Sequence, residues 1–277
     1  MPTPLVVECL DVLLPVFSRI INLSLQTGSF PDTWKYADVR PRLKKPNSEE
    51  TFTNLRPISN LQFASKLTER AVFLQMHDYL STHNLYPLAQ SSYRHHHSTE
   101  TALLKVKNDI LLNMNQQRVT LLVLLDLSTA FDTVDHKILL DRLHTDFGIS
   151  GQVHSWFESY LRDRFQSISV NSGTSVNFQM KYSVPQGSCL GPLLFVIYAS
   201  KLFEIIERHL PDVHTYADVT QLYISFNAAS SVEQSTSVEA MQNCIADITQ
   251  CMLQDRLRLN DGKTEFIIIG THNSSLK

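Results

Sequence analysis

Leu121-Leu122-Val123-Leu124-Leu125-Asp126, continuing as Leu127-Ser128-Thr129-Ala130-Phe131-Asp132-Thr133-Val134-Asp135-His136, is an apolar run that ends on a carboxylate. The uncharged part, Val119 to Leu125, has strand length and falls far short of the roughly 20 residues that cross a bilayer, so it predicts a buried strand. A carboxylate at the end of such a strand is costly unless it meets a cation or good hydrogen-bond donors. About ninety residues later, Tyr216-Ala217-Asp218-Val219 sets a second aspartate between two strand-like runs, Val213 to Asp218 and Gln221 to Phe226, which read as a hairpin with Asp218 at its tip. Two such strands side by side converge two carboxylates on one point. Hard, oxygen-seeking Mg²⁺ needs that arrangement in phosphoryl and nucleotidyl transfer. Spacing alone leaves a second reading open, in which each is an ordinary turn aspartate.

Around this pair the chain alternates helices and strands. Leu5, Leu10, Leu13, Leu14, Phe17, Ile20, Ile21 and Leu25 recur at helical spacing and predict an opening helix, with Pro15 as the expected kink. A loop rich in proline and charge follows, then a helix over Ser65 to Ser81 and another N-capped by Ser98, with Glu100 in its first turn. After the strand at Asp126 come helices near His136 to Thr145 and Val153 to Arg162. A hairpin follows, Phe165 to Asn171 returning through Ser172-Gly173 as Val176 to Val184. A long helix from Leu193 to His209, the second hairpin, a helix near Val238 to Leu257 and a strand Thr264 to Ile269 complete the series. This order predicts an α+β fold of split βαβ type, an antiparallel sheet backed by helices.

Composition narrows the function classes. With 277 residues and 43% hydrophobic content the chain can bury a sizeable core. A formal charge of -3 and a pI of about 6.4 exclude a polycationic nucleic-acid binder. A local basic arm remains between Trp34 and Pro46, with Lys35, Arg40, Arg42, Lys44 and Lys45 against Asp38, either a solvated face or a phosphate contact. Cys9, Cys189, Cys244 and Cys251 lack CxxC spacing and predict free thiols in a reducing compartment; no zinc site is expected. Glu8, Asp11, Pro15 and Arg19 interrupt the apolar stretch at residues 4 to 25, so neither a signal peptide nor membrane association is expected.

Further motifs decide between the readings of the two aspartates. Ser183-Val184-Pro185-Gln186-Gly187-Ser188-Cys189-Leu190-Gly191-Pro192 resembles the nucleotide-side motif of reverse transcriptases from non-LTR, LINE-type retrotransposons. Asn54-Leu55-Arg56-Pro57-Ile58-Ser59-Asn60, the segment Gln90 to Leu104, and Leu259-Asn260-Asp261-Gly262-Lys263-Thr264-Glu265 match that family in its order, so the resemblance runs from Phe30 to Gly270.

The resemblance implies a right-hand polymerase with fingers at about residues 30–118 and palm at about 119–277, after an N-terminal helical extension at 1–29. It implies RNA template, DNA primer and deoxynucleoside triphosphates as partners, and residence in the nucleus or cytoplasm. Mg²⁺ is the implied ion, with Mn²⁺ as an alternative, bound by Asp126, Asp218 and the backbone carbonyl of Leu127. Phe131 falls where the family places the aromatic gate against a ribose 2′-hydroxyl, although most such phenylalanines are ordinary core residues. Gln186 and Gly187 would line the incoming nucleotide, the glycine allowing close backbone approach. Arg56, with Lys44 or Lys45, would face the triphosphate, and Lys263 matches the palm lysine proposed to protonate pyrophosphate. The tract His95-His96-His97 is not expected to bind metal, and Asp132 to His136 reads as helix-start chemistry.

The chain departs from this pattern in three residues. The family's Tyr-Ala-Asp-Asp ends here in Val219, which removes one carboxylate from a site holding two divalent ions and predicts impaired catalysis. Ser183 and Ser92 stand where glycine is usual, and either costs about 1 kcal/mol or more if its φ is positive. The family's upstream endonuclease and downstream thumb are not among these residues, so poor processivity is expected. The rival expectation is a remnant that binds nucleic acid or protein without catalysis.

Overall fold

The computed structural model describes residues 3–87, 90, 92, 97–127, 131–209, 212–216 and 219–271, and the account below is confined to these. In chain order the elements are helices α1 (Thr3–Glu8) and α2 (Leu10–Thr27), strands β1 (Tyr36–Leu43) and β2 (Leu55–Asn60), and helices α3 (Phe63–Thr82) and α4 (Thr99–Asn115). Strand β3 (Arg118–Asp126), helices α5 (His136–Thr145) and α6 (Gly151–Leu161), and strands β4 (Arg164–Val170), β5 (Gly173–Thr174) and β6 (Phe178–Met180) follow. The chain continues through α7 (Gly191–Tyr198), α8 (Ser200–His209), β7 (Asp212–Tyr216), β8 (Val219–Asn227), α9 (Ser231–Gln254) and β9 (Glu265–Ile269).

These elements form two compact units, each discontinuous in sequence: Met1–Asn84 with Val134–Ile197, and Leu85–Thr133 with Tyr198–Lys277. The expected sequential division at residues 118 and 119 cuts across both units. Helix α4 packs on strand β3 and so joins the second unit, while β4 pairs with β1 and carries the segment after Val134 into the first.

The second unit holds an antiparallel sheet in the order β7-β8-β3-β9. Strand β3 is central, flanked by β8 and β9, and its Val119, Leu122, Val123 and Leu125 are buried. Helix α4 lays Val106 and Ile110 against Leu122 and Tyr223 of this sheet. It begins on a capping box in which the Ser98 hydroxyl accepts from the Thr101 N–H and the Thr101 hydroxyl accepts from the Ser98 N–H. The expected antiparallel sheet backed by helices is present here.

The first unit departs from expectation where prolines hide a hairpin. The stretch expected as a loop contains β1 and β2, paired antiparallel with Pro41 opposite Pro57. The Ser59 N–H points away from β1, to the Gln186 carbonyl at 2.7 Å, so Ser59 and, two residues on, Pro57 occupy non-hydrogen-bonded positions. Neither proline therefore removes a bond from the β1–β2 ladder. Strand β1 also pairs parallel with β4, but only as far as Val39, short of Pro41. Three further boundaries shift. The opening helix breaks at Cys9 rather than Pro15, the long helix after Gly191 breaks at Ala199, and the return strand is confined to Phe178–Met180. The core of this unit is aromatic: the Phe30 ring meets Trp34, Trp156 and Tyr160 edge-on, with centroids 5.0–5.6 Å apart.

Candidate active site

Asp126 is the last residue of β3, and its carboxylate is met as the sequence demanded. The Lys263 ammonium lies 2.8 Å from Oδ2, and the Asn260 amide nitrogen lies 3.4 Å from the same oxygen. The backbone fixes this arrangement. The Asn260 N–H donates to the Asp126 carbonyl at 2.9 Å, Leu127 bridges Leu259, and a 3-10 turn at Asp261–Lys263 brings the lysine back over the strand end. The Asp126 side chain is 18% exposed and that of Lys263 67%, so the pair is open to solvent on the lysine side. Asn260 is a site residue that sequence reasoning quoted inside a motif without giving it a role. Its approach to Asp126 depends on the β3–β9 pairing across 134 residues.

The ladder register puts Val219 directly opposite Asp126, and Tyr216 opposite Val219 on the other side. The hairpin is therefore where the sequence placed it, and Val219 is the cross-strand neighbour of Asp126. Asp218 itself lies outside the described residues. Phe131 is half-buried. His95 and His96 lie outside the described residues, and His97 is exposed.

The other expected residues sit in the first unit. Pro185 to Gly191 runs along the outer edge of β2, where the Gln186 carbonyl accepts the Ser59 N–H. Gly187 has φ +117, and a Cβ there would stand 2.7 Å from the Ser59 carbonyl oxygen. The close approach expected of this glycine is thus made to the protein's own strand. Ser183 has φ +88, the strained case foreseen for it, and is held by its N–H on the Val134 carbonyl at 2.8 Å and by His136 Nε2 at 2.9 Å from its carbonyl. Burial holds the His136 imidazole below its usual range, against the Ser183 carbonyl and the Asp135 charge, which raise it. Asp135 caps α5, accepting from the Lys137 and Ile138 N–H groups, as the helix-start reading required. Ser92 is buried in the second unit, its N–H and hydroxyl both donating to Gln90 Oε1.

The basic arm resolves into two groups. Lys35 and Arg40 pair with Asp32 and Asp38, at 2.8 and 2.9 Å. Arg42, Lys44, Lys45 and Arg56 stay exposed on the β1–β2 hairpin, and Arg42 stands directly opposite Arg56 in the ladder. Like charges opposite one another destabilise a hairpin, so the pair adds nothing to the stability of β1–β2. The sequence placed Arg42 in the basic arm but not beside Arg56, because only the register reveals the pair. Sequence reasoning did miss Glu69, a fully buried carboxylate on α3 that accepts from Ser65 of the same helix and from Ser188 and Cys189 of the Pro185–Gly191 segment.

The family described as reverse transcriptase (RNA-dependent DNA polymerase) matches residues 43–275. The chain belongs to the reverse transcriptase family. It is 29% identical over 250 residues to the probable RNA-directed DNA polymerase from transposon BS of Drosophila melanogaster, covering 88% of this chain and 27% of that protein. It is 30% identical over 215 residues to the RNA-directed DNA polymerase from mobile element jockey of the same organism, covering 76% of this chain and 23% of the relative. Among solved structures, an apo telomerase from Candida Tropicalis truncated from its C-terminal domain matches with TM-score 0.61 at 12% identity, over 86% of this chain and 51% of that one. At that identity the likeness shows the fold, in agreement with the expected fingers and palm. The chain spans about a quarter of the length of the curated relatives it matches. They support the LINE-type branch that the motifs pointed to.

Reverse transcriptases use divalent metal ions, and the donors at Asp126 suit one in kind. The carboxylate and the Leu127 carbonyl are hard oxygen ligands, and the ladder contact with Asn260 engages the Asp126 carbonyl rather than that of Leu127. Among the described residues no group of three or more His, Cys, Asp or Glu side chains could hold a metal by itself. Cys9, Cys189, Cys244 and Cys251 are free thiols, and burial pushes that of Cys244 up to about 11. Among the described residues no helix is long and apolar enough to cross a membrane.

Proposed function

We propose that this reverse transcriptase domain extends a DNA primer on an RNA template, consuming deoxynucleoside triphosphates, and that Val219 slows the reaction. One observation carries the reading: the carboxylate of Asp126 ends a buried central strand, under the Lys263 ammonium, directly opposite the position of Val219. Asp126, the Leu127 carbonyl and Asp218 would hold Mg²⁺, or Mn²⁺ in its place. The bound ion supplies Lewis-acid charge neutralisation at the reacting phosphate. In this reading Lys263, 2.8 Å from Asp126 Oδ2, would orient that carboxylate and offer a proton to the leaving pyrophosphate. Arg42, Arg56, Lys44 and Lys45 offer the cations that a triphosphate needs, with Gln186 and Gly187 at the nucleotide and Phe131 as the gate against a 2′-hydroxyl.

Loss of one carboxylate from such a site costs on the order of 10² to 10⁴ in rate. Primer extension on an RNA template with Mg²⁺ tests this. The natural protein is expected to extend slowly, Val219→Asp to raise the rate by roughly 10²-fold or more, and Asp126→Ala to abolish extension in either background. Failure of Val219→Asp to raise the rate refutes Val219 as the main defect. Salt-dependent binding of RNA–DNA hybrid with no extension in any variant would replace the enzyme by a binding remnant, which the exposed cations of the β1–β2 hairpin would serve.

A further inference from the structure

Glu69 is a buried carboxylate that the chemistry above does not use. It stands on the inward line of α3 with Ser65, Val72, Met76 and Leu80, and none of its surface reaches solvent. A carboxylate so placed is tolerated only where its lone pairs are met. Its partners are neutral donors. Oε1 accepts the Ser65 hydroxyl at 3.1 Å, and Oε2 accepts the Ser188 hydroxyl at 2.9 Å and the Cys189 N–H at 2.7 Å. Two of the three lie about 120 residues away in the chain, on the segment that carries Gln186 and Gly187.

The contact passes on from there. Having given its proton to Glu69, Ser188 Oγ can only accept. Its two lone pairs take the N–H groups of Leu190 and Gly191, at 3.1 and 3.0 Å, at the opening of α7, and the Tyr160 hydroxyl lies 2.9 Å away. Burial and the Glu69 charge push the Tyr160 phenol up, which keeps it a donor, while the buried Arg164 guanidinium, 4.7 Å over the Tyr160 ring, acts in the opposite direction. At the other end of the segment, Ser59 holds the Gln186 carbonyl and leaves Gly187 no room for a side chain. The loop is thus tied at both ends, to β2 by its backbone and to α3 by one carboxylate.

We infer that Glu69 is a positioning residue: its carboxylate fixes the Pro185–Gly191 segment so that Gln186 and Gly187 keep the shape that receives the incoming nucleotide. The inference rests on the polymerase reading above. An aliphatic residue would fill the same space in the core, but only an acceptor can bind the Ser188 hydroxyl and the Cys189 N–H together. Charge-assisted bonds hold such a loop more firmly than neutral ones.

The test uses Glu69→Gln and, should that variant fold poorly, Ser188→Ala, each in the natural chain and with Val219→Asp. Hydrogen exchange is followed at the amides of Cys189, Leu190 and Gly191. In parallel, KM for deoxynucleoside triphosphate, kcat and the affinity for RNA–DNA hybrid are measured. Exchange at those amides is expected to quicken at least tenfold and KM to rise at least fivefold, with hybrid affinity within twofold of the parent. Unchanged exchange overturns the clamp. Quickened exchange with unchanged KM overturns the positioning role, and so does a loss of hybrid affinity as large as the rise in KM, which marks general loosening. Absence of extension in every background, Val219→Asp included, refutes the polymerase reading instead, and the exchange measurements then decide the clamp alone.

Discussion

Two carboxylates, one in each compact unit, have opposite surroundings. Glu69 in the first unit is fully buried, and its three neutral donors come from α3 and from a loop about 120 residues away. Asp126 in the second unit ends its strand half in the open, under a lysine whose side chain is 67% exposed, and its cross-strand neighbour is a valine where the family has a second carboxylate. The buried acid fixes a shape, so its donors must be complete; the open one is met by Lys263 at 2.8 Å and by Asn260 at 3.4 Å. Val219 continues the ladder opposite Asp126, since a β-branched residue suits a strand.

Each contrast can be broken by experiment. The largest effect is expected from Asp126→Asn in a background that extends primers: a loss of about 10³-fold or more in single-nucleotide incorporation, with thermal stability nearly unchanged. A large fall in Tm with little loss of rate would make Asp126 a structural residue like Glu69. Gly187→Ala is the converse case, since its Cβ would enter the Ser59 carbonyl at a φ of +117; it should destabilise by about 2 kcal/mol or more, read as a lower urea midpoint. Ser183→Gly should stabilise by about 0.5–1 kcal/mol through relief of its positive φ, and an unchanged midpoint would show that the contacts with Val134 and His136 already offset the strain.

The smallest effect concerns pH. His136 has its folded-state pKa depressed by burial, so the unfolded chain binds the proton more readily. Its contribution is fully present above the unfolded value of 6.5 and is lost as pH falls through the lower folded value. Urea midpoints measured downward from pH 7 should therefore decline, and less steeply in His136→Gln.

Much of the site was legible because its residues lie in short, ordered motifs. The strand ending at Asp126, the hairpin at Tyr216 and Val219, the Ser98 cap and the Asp135 helix start all depend on neighbours within a few residues. The β1–β2 hairpin was not legible, since Pro41 and Pro57 argue against strands until the register places both in non-hydrogen-bonded positions. Arg42 opposite Arg56, Asn260 on Asp126 and Glu69 on Ser188 stayed hidden because each partner lies on a distant segment. A signal for Glu69 was nonetheless present: its spacing from Ser65, Val72, Met76 and Leu80 puts it on the buried line of α3.

By itself the sequence determined the family, the two aspartates and the valine beside the second, because identity and order along the chain are enough to specify a motif. Only the tertiary structure decided that Val219 lies directly across from Asp126, that Lys263 occupies the carboxylate, and that a buried glutamate bonds the Pro185–Gly191 segment. Those are facts of register and long-range approach. They follow from which strand edges pair and which helix faces the loop, and a linear pattern does not carry them.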